Sequence, residues 1–198
     1  MLNTGAEHEK RKKEILEKSL ELFIAEGYED VTYQKIADRC GITRTTLYIY
    51  FKNKREIFSF SIKQLTGDVE RQLLEIIKQP ELHSVDCLKQ LFLKIFDIAE
   101  SNCKFFKVLQ MYLMQLEKGG VDINERIKKR VIRIQHLMST IIIRGQKKGE
   151  IKNVPVKDMN DLFYSLIESG MFRLGILNQT NLDQMRSIIN FTVEQFRV

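Results

Sequence analysis

The stretch VTYQKIADRCGITRTTLYIYFKNKREIF, residues 31–58, decides the fold. Thr32 is a good N-cap for a short helix that presents Ile36, Ala37 and Cys40 on one side. Ala37 is small where a second helix has to cross closely. Gly41 follows Cys40, where a left-handed backbone ends such a helix. Thr43 caps a second short helix through Tyr50, with Leu47 and Phe51 as its buried residues. Arg44, Thr45, Thr46, Tyr48 and Tyr50 are left largely outward. Helix, glycine turn and helix make a helix-turn-helix pattern, whose second helix enters the major groove of DNA.

Asn53-Lys54-Arg55-Glu56 follows, an N-cap with an acid three residues on, much like a capping box. Two cations in the first turn of a helix oppose its dipole, at a cost of about 0.3–1 kcal/mol when exposed. A phosphate docked on that helix start reverses the sign. Lys54 and Arg55 therefore read as a phosphate clamp rather than as folding elements.

Outward from this segment the chain is helical. Apolar residues recur at three- and four-residue spacing: Ile15, Leu16, Leu20 and Phe23; Leu88, Leu91, Phe92 and Ile95; Ile127, Val131, Ile134 and Met138; and Leu182, Met185, Ile188, Ile189, Val193 and Phe196. Breaks fall near Gly27, Gly41, Asn53, Pro80, Asn102, Gly119-Gly120, 149–155 and 178–181. The pattern predicts an all-α chain of about nine helices, three short ones first and longer ones after. Only 10 Gly and 2 Pro in 198 residues leave too few tight turns for an all-β fold.

The formal charge of +6 favours an anionic partner without naming one. It is concentrated. Residues 35–55 hold six bases (Lys35, Arg39, Arg44, Lys52, Lys54, Arg55) against Asp38 alone. Residues 118–148 hold nine bases against Asp122 and Glu125; because an apolar stripe runs along the same helix, a solvated outer face is the expected reading there. The run Lys10 to Lys13 is placed just ahead of the first helix, where plain solubility is one reading. Cys40, Cys87 and Cys103 form no C-x-x-C pair, so neither a disulfide framework nor a metal site is expected. There is no apolar leader and no run long enough to cross a membrane, which points to the cytoplasm. Nucleotide-loop, metalloprotease and nucleophile-elbow motifs are missing, and His8, His83 and His136 share no local motif with an acid or cysteine. Catalysis and a cofactor are not expected.

From Ile15 to Phe58 the sequence resembles the DNA-binding domain of the TetR family of transcriptional regulators. The resemblance rests on the F-x-x-x-G-Y helix end, the I-A-x-x-x-G-[IV] turn and T-L-Y-x-Y-F-x-N-K, in that order, over roughly a quarter of the chain. It implies an N-terminal three-helix helix-turn-helix domain, residues 1–53, and a C-terminal helical-bundle effector and dimerisation domain, residues 54–198. It places Tyr33 and Gln34 at phosphate contacts, Arg44, Thr45, Thr46 and Tyr48 against bases and backbone, and Tyr50 and Lys54 on flanking phosphates. Arg44 suits a bidentate pair with guanine. Ile49 has two readings, contact with a thymine methyl or packing. For the run Lys10 to Lys13 the resemblance implies a minor-groove arm, which stands evenly against plain solubility.

Residues 85–117 are rich in large apolar groups, most of them core. The resemblance implies a small-molecule pocket among them, for which Phe92, Phe96, Phe105, Met111 and Met114 are the candidates. Helices near 156–178 and 181–197 carry more apolar surface than one core face needs. Leu162, Leu166, Ser169, Gly170, Ile188 and Ile189 are the candidate homodimer seam. The expected function is a dimeric repressor on a palindromic double-stranded DNA operator, released by a small-molecule ligand. An activator or ligand-independent DNA binder is the runner-up, and an all-helical enzyme or scaffold a remote alternative.

Overall fold

The computed structural model describes all residues except 1–3, Pro80 and 121–123, with no side chains described for Thr4 and 124–130. The break expected at Pro80 and the bases Arg126, Lys128, Lys129 and Arg130 thus lie outside the described residues or side chains, as does Ile127. Among the described residues there are nine α-helices: α1 (Thr4–Glu26), α2 (Tyr33–Cys40), α3 (Arg44–Tyr50), α4 (Lys54–Ile77), α5 (Ser84–Ser101), α6 (Cys103–Lys118), α7 (Asn124–Lys148), α8 (Val156–Gly175) and α9 (Asp183–Glu194). None of them is long and apolar enough to cross a membrane.

The chain forms two compact units that divide between Asp68 and Val69, inside α4. In the first unit α1 buries Ile15, Leu16 and Phe23, and the start of α4 buries Ile57, Phe58 and Ile62. Phe23 and Phe58 meet edge to face at 4.8 Å. The buried Ser61 hydroxyl donates to Leu16 O at 3.2 Å and the buried Ser19 hydroxyl to Ile15 O at 2.6 Å, so both are satisfied. α1 is 23 residues long rather than short, and it contains the run Lys10 to Lys13 that was placed ahead of it. After Gly5 its first turns contain no breaker, and Arg11 pairs with Glu14 at 2.9 Å along the helix.

The second unit is organised around α5, which buries Val85, Cys87, Leu88, Leu91, Phe92, Ile95, Phe96 and Ala99. That is more than one helical stripe, and α6, α7, α8 and α9 all pack against it. Phe92 touches Phe163 of α8 at 5.1 Å, and Phe163 touches Phe196 at 5.7 Å. Two ion-pair clusters tie α9 and the residues after it to α5. Arg186 donates to Glu100 at 2.6 and 2.8 Å, and also to Asp97. Arg197 donates to Asp86 at 2.7 Å and to Glu194 at 2.8 Å, while Lys89 of α5 also donates to Glu194. Arg144 departs from the solvated face expected of residues 118–148. It is half-buried, and its guanidinium donates to Ile77 O at 2.9 Å, at the end of α4.

α7 comes close to the start of α5 at Gly145. A β-carbon there would lie 2.5 Å from Ile151 Cδ1 and 2.7 Å from Ser84 Cβ, whereas one at Gly67 in α4 would meet open space. Gly145→Ala is therefore expected to cost about 1–3 kcal/mol through overpacking. Gly67→Ala should gain about 0.5–1 kcal/mol of helix propensity. Urea unfolding followed by circular dichroism checks both signs. The Arg197 and Lys89 hydrogen bonds hold the Glu194 carboxyl down at about 2, from 4.5. Their contribution is complete above pH 4.5 and lost as pH falls towards 2. Glu194→Gln should flatten the acid limb of a thermal-midpoint profile in that window and leave its shape near neutrality unchanged.

Candidate nucleic-acid interface

α2 and α3 are too short to persist alone, and local chemistry fixes their ends. Thr32 Oγ1 accepts the Lys35 N–H at 3.2 Å and starts α2. Gly41 ends it at φ 66°, with Gly41 N–H donating to Asp38 O at 3.1 Å and Ile42 N–H to Ala37 O at 3.0 Å. Thr43 Oγ1 accepts the Thr46 N–H at 3.1 Å and starts α3. Ile36, Ala37 and Cys40 are buried beneath α2, as the sequence pattern requires, and Leu47 is the buried residue of α3. Phe51 closes α3, its N–H donating to Leu47 O at 3.0 Å.

With Leu47 turned inward, α3 exposes Arg44, Thr45, Tyr48 and Ile49. Tyr33 and Tyr48 lie with ring centroids 4.7 Å apart, and the Arg44 guanidinium sits 6.0 Å from the Tyr33 ring. Tyr33 OH donates to Phe51 O at 2.6 Å. Burial first, then the neighbouring Tyr48 and Glu56, push the Tyr33 phenol up to about 12, so it stays a protonated donor. Thr46 is half-buried in the α3 cap, and Tyr50 is half-buried under a stacked His8 at 4.7 Å. Gln34 is exposed and donates to Asp38 at 2.7 Å.

The cations of residues 35–55 separate into three kinds. Lys35 pairs with Glu26 and Arg39 with Glu21, so both are neutralised within the unit. Lys54 is a folding element after all. Its ammonium donates to Tyr28 O at 2.8 Å and Glu29 O at 3.2 Å and stands 4.5 Å over the Tyr28 ring. It thereby closes the turn after α1, a contact 26 residues distant that spacing alone does not show. Among the described residues Arg44, Lys52 and Arg55 have no ion-pair partner. Lys52, outside the set of candidate site residues read from the sequence, stands just beyond α3. Arg55 is exposed in the first turn of α4, where Asn53 Oδ1 accepts the Glu56 N–H at 2.9 Å and Glu56 accepts the Lys52 N–H. The α3 face thus offers donors suited to base edges and phosphates.

The candidate pocket residues are not gathered around one cavity. Phe92, Phe96 and Phe105 are fully buried in packed core, while Met111 and Met114 are 67% and 62% exposed. α6 buries Phe105, Val108, Tyr112 and Leu116, and that stripe turns both methionines away. A polar hollow of about 340 Å³ lies instead at the α8–α9 turn, beside Arg173, Asn178 and Gln184.

The candidate seam also divides. Gly170 and Ile189 belong to the chain's own core, Gly170 because a β-carbon there would meet Phe96 at 3.1 Å. Leu162 is exposed, and Leu166, Ser169 and Ile188 are half-buried. Phe172, one of the surplus apolar residues of the 156–178 helix though not a seam candidate, is 53% exposed, and Phe191, not singled out in the sequence, is 70% exposed. The signal is phase: α8 buries Met159, Phe163, Ile167, Gly170 and Leu174, and α9 buries Met185, Ile189 and Val193, so Phe172 and Phe191 fall outside those stripes.

Residues 15–59 match the family model for bacterial regulatory proteins of the tetR family. The chain is 25% identical over 139 residues to the fatty acid metabolism regulator protein of Bacillus subtilis, covering 70% of each chain. It is 26% identical over 159 residues to the biofilm operon icaADBC negative transcriptional regulator IcaR of Staphylococcus aureus, covering 80% of this chain and 81% of that one. Among solved structures, a TetR transcription regulator from Haloarcula marismortui superposes with a TM-score of 0.78 at 15% identity, over 96% of this chain and 97% of that one. The Bacillus subtilis regulator FadR in complex with stearoyl-CoA superposes with a TM-score of 0.71 at 23% identity, over 92% and 95%. With the capped helix pair in place, residues 15–59 match the tetR family of bacterial regulatory proteins, and the chain is similar in fold to solved TetR regulators along most of its length.

Proposed function

We propose that the protein is a homodimeric cytoplasmic repressor that holds a palindromic operator through α3 and leaves it when a small molecule binds. The observation that carries this is the α3 face: an unpaired Arg44 ordered against Tyr33 and Tyr48, flanked by the unpaired Lys52 and Arg55. Arg44 is the base reader, with Thr45 and Tyr48 beside it. Tyr33, Gln34, Thr46 and Tyr50 serve the backbone. Lys52 and Arg55 clamp phosphates, and Lys54, while holding the α1 turn, has one N–H left to give to a phosphate.

Two copies are needed because half-sites of such operators lie about 34–36 Å apart. The exposed Phe172 and Phe191, with Leu162 and the half-buried Leu166 and Ile188, supply apolar surface for a seam built from α8 and α9. Release requires a ligand that prefers the DNA-incompetent state, by about 10⁴-fold if it is to invert a strong bias. Negative regulation is stated in the name of the Staphylococcus aureus relative, and a bound acyl thioester in that of the Bacillus subtilis structure. Long-chain acyl thioesters are accordingly the first ligands to test.

Selection of duplexes from a random pool by the full-length protein should enrich a palindrome. On it, Arg44→Ala should cost about 1–3 kcal/mol and relax one position per half-site. Arg55→Ala should weaken selected and scrambled duplexes alike and lower the salt slope by about 0.9 per half-site. No enrichment, or identical behaviour of the two variants, defeats the reading. For the seam, the double variant Phe172→Glu, Phe191→Glu should sediment as a folded monomer and lose most affinity for the full palindrome; an intact dimer would place the interface elsewhere.

A further inference from the structure

We propose that Ile49 reads the 5-methyl group of a thymine in the operator. The inference rests on the DNA-binding role of α3 given above. Ile49 is 69% exposed on a seven-residue helix whose packing is supplied by Leu47. That exposure removes packing as its purpose. It stands one residue beyond Tyr48 and four beyond Thr45, on the outward face that it shares with Thr45.

The chemistry of the side chain narrows what it can recognise. Isoleucine neither donates nor accepts a hydrogen bond, so phosphates and polar base edges give it nothing. The thymine methyl is the apolar feature that base pairs present in the major groove. Branching at Cβ restricts χ1, and the apolar surface is held in nearly one place rather than swept over several base pairs. A second protein copy is a poor occupant for this face. Arg44, Lys52 and Arg55, without ion-pair partners among the described residues, belong to the same 44–55 segment, and like charges would meet where two copies joined there. Polyanionic DNA reverses that term.

The test replaces the thymines of the selected duplex one at a time by deoxyuridine, which deletes only the methyl. For the wild-type chain one thymine per half-site should lose about fourfold in affinity, the worth of one buried methyl-sized group. In Ile49→Ala that sensitivity should vanish while Arg44-dependent discrimination remains, and Ile49→Val should keep part of it. Wild-type binding indifferent to deoxyuridine at every position overturns the proposal. So does a sensitivity that survives unchanged in Ile49→Ala. In either case the DNA-binding reading stands, because the duplex was selected; failure to select any duplex removes both.

Discussion

A seven-residue helix cannot hold itself in water, and the candidate interface depends on that limit being overcome at α3. Three short-range contacts do it: the Thr43 cap, the Leu47 anchor and the Phe51 closure. Each demands something of its neighbours. The cap requires the chain to arrive from the left-handed Gly41, and the anchor requires the small Ala37 beneath the crossing. The closure is reinforced from α2, whose Tyr33 hydroxyl donates to Phe51 O. α1 then packs against α2, and Phe60 of α4 meets the Phe51 ring at 6.0 Å. The first unit is in this sense a mount for one exposed helical face.

The parts of that mount governed by nearest neighbours were legible in the sequence. Thr32, Gly41 and Thr43 act at the positions their residue types predict, because caps and left-handed turns involve residues three or four apart. Charge was legible only as a sum. Lys35, Arg39, Lys54 and Arg55 look alike in a string of letters, yet two are neutralised by α1 acids and one is spent on backbone carbonyls 25 and 26 residues away. Tertiary partners decide which cation remains available to an anion.

In the second unit the helical period was legible and its phase was not. α6 and α8 carry apolar residues on more than one side, so several rotations of each helix satisfy the same pattern. Packing against α5 selects one. It turns Met111 and Met114 outward, draws Gly170 and Ile189 inward, and leaves Phe172 and Phe191 uncovered. The length of α1 was not legible for a different reason: the run Lys10 to Lys13, open between an arm and plain solubility, stands ahead of the apolar stripe, yet Lys, Arg and Glu are good helix formers that favour extending a helix already anchored at Ile15.

The separation of duties on α3 bears on how such a protein changes over generations. Folding is entrusted to Gly41, Thr43, Leu47 and Phe51, while Arg44, Thr45, Tyr48 and Ile49 face outward with little share in it. Substitutions at the outward set are cheap in stability, since exposed helix positions away from caps and cores usually shift it by less than about 0.5 kcal/mol. A duplicated copy can therefore drift to a new DNA preference through a handful of neutral-to-mild steps without passing through an unfolded intermediate. Drift at the inward set leads out of the fold altogether, so the two halves of one short helix evolve at different speeds.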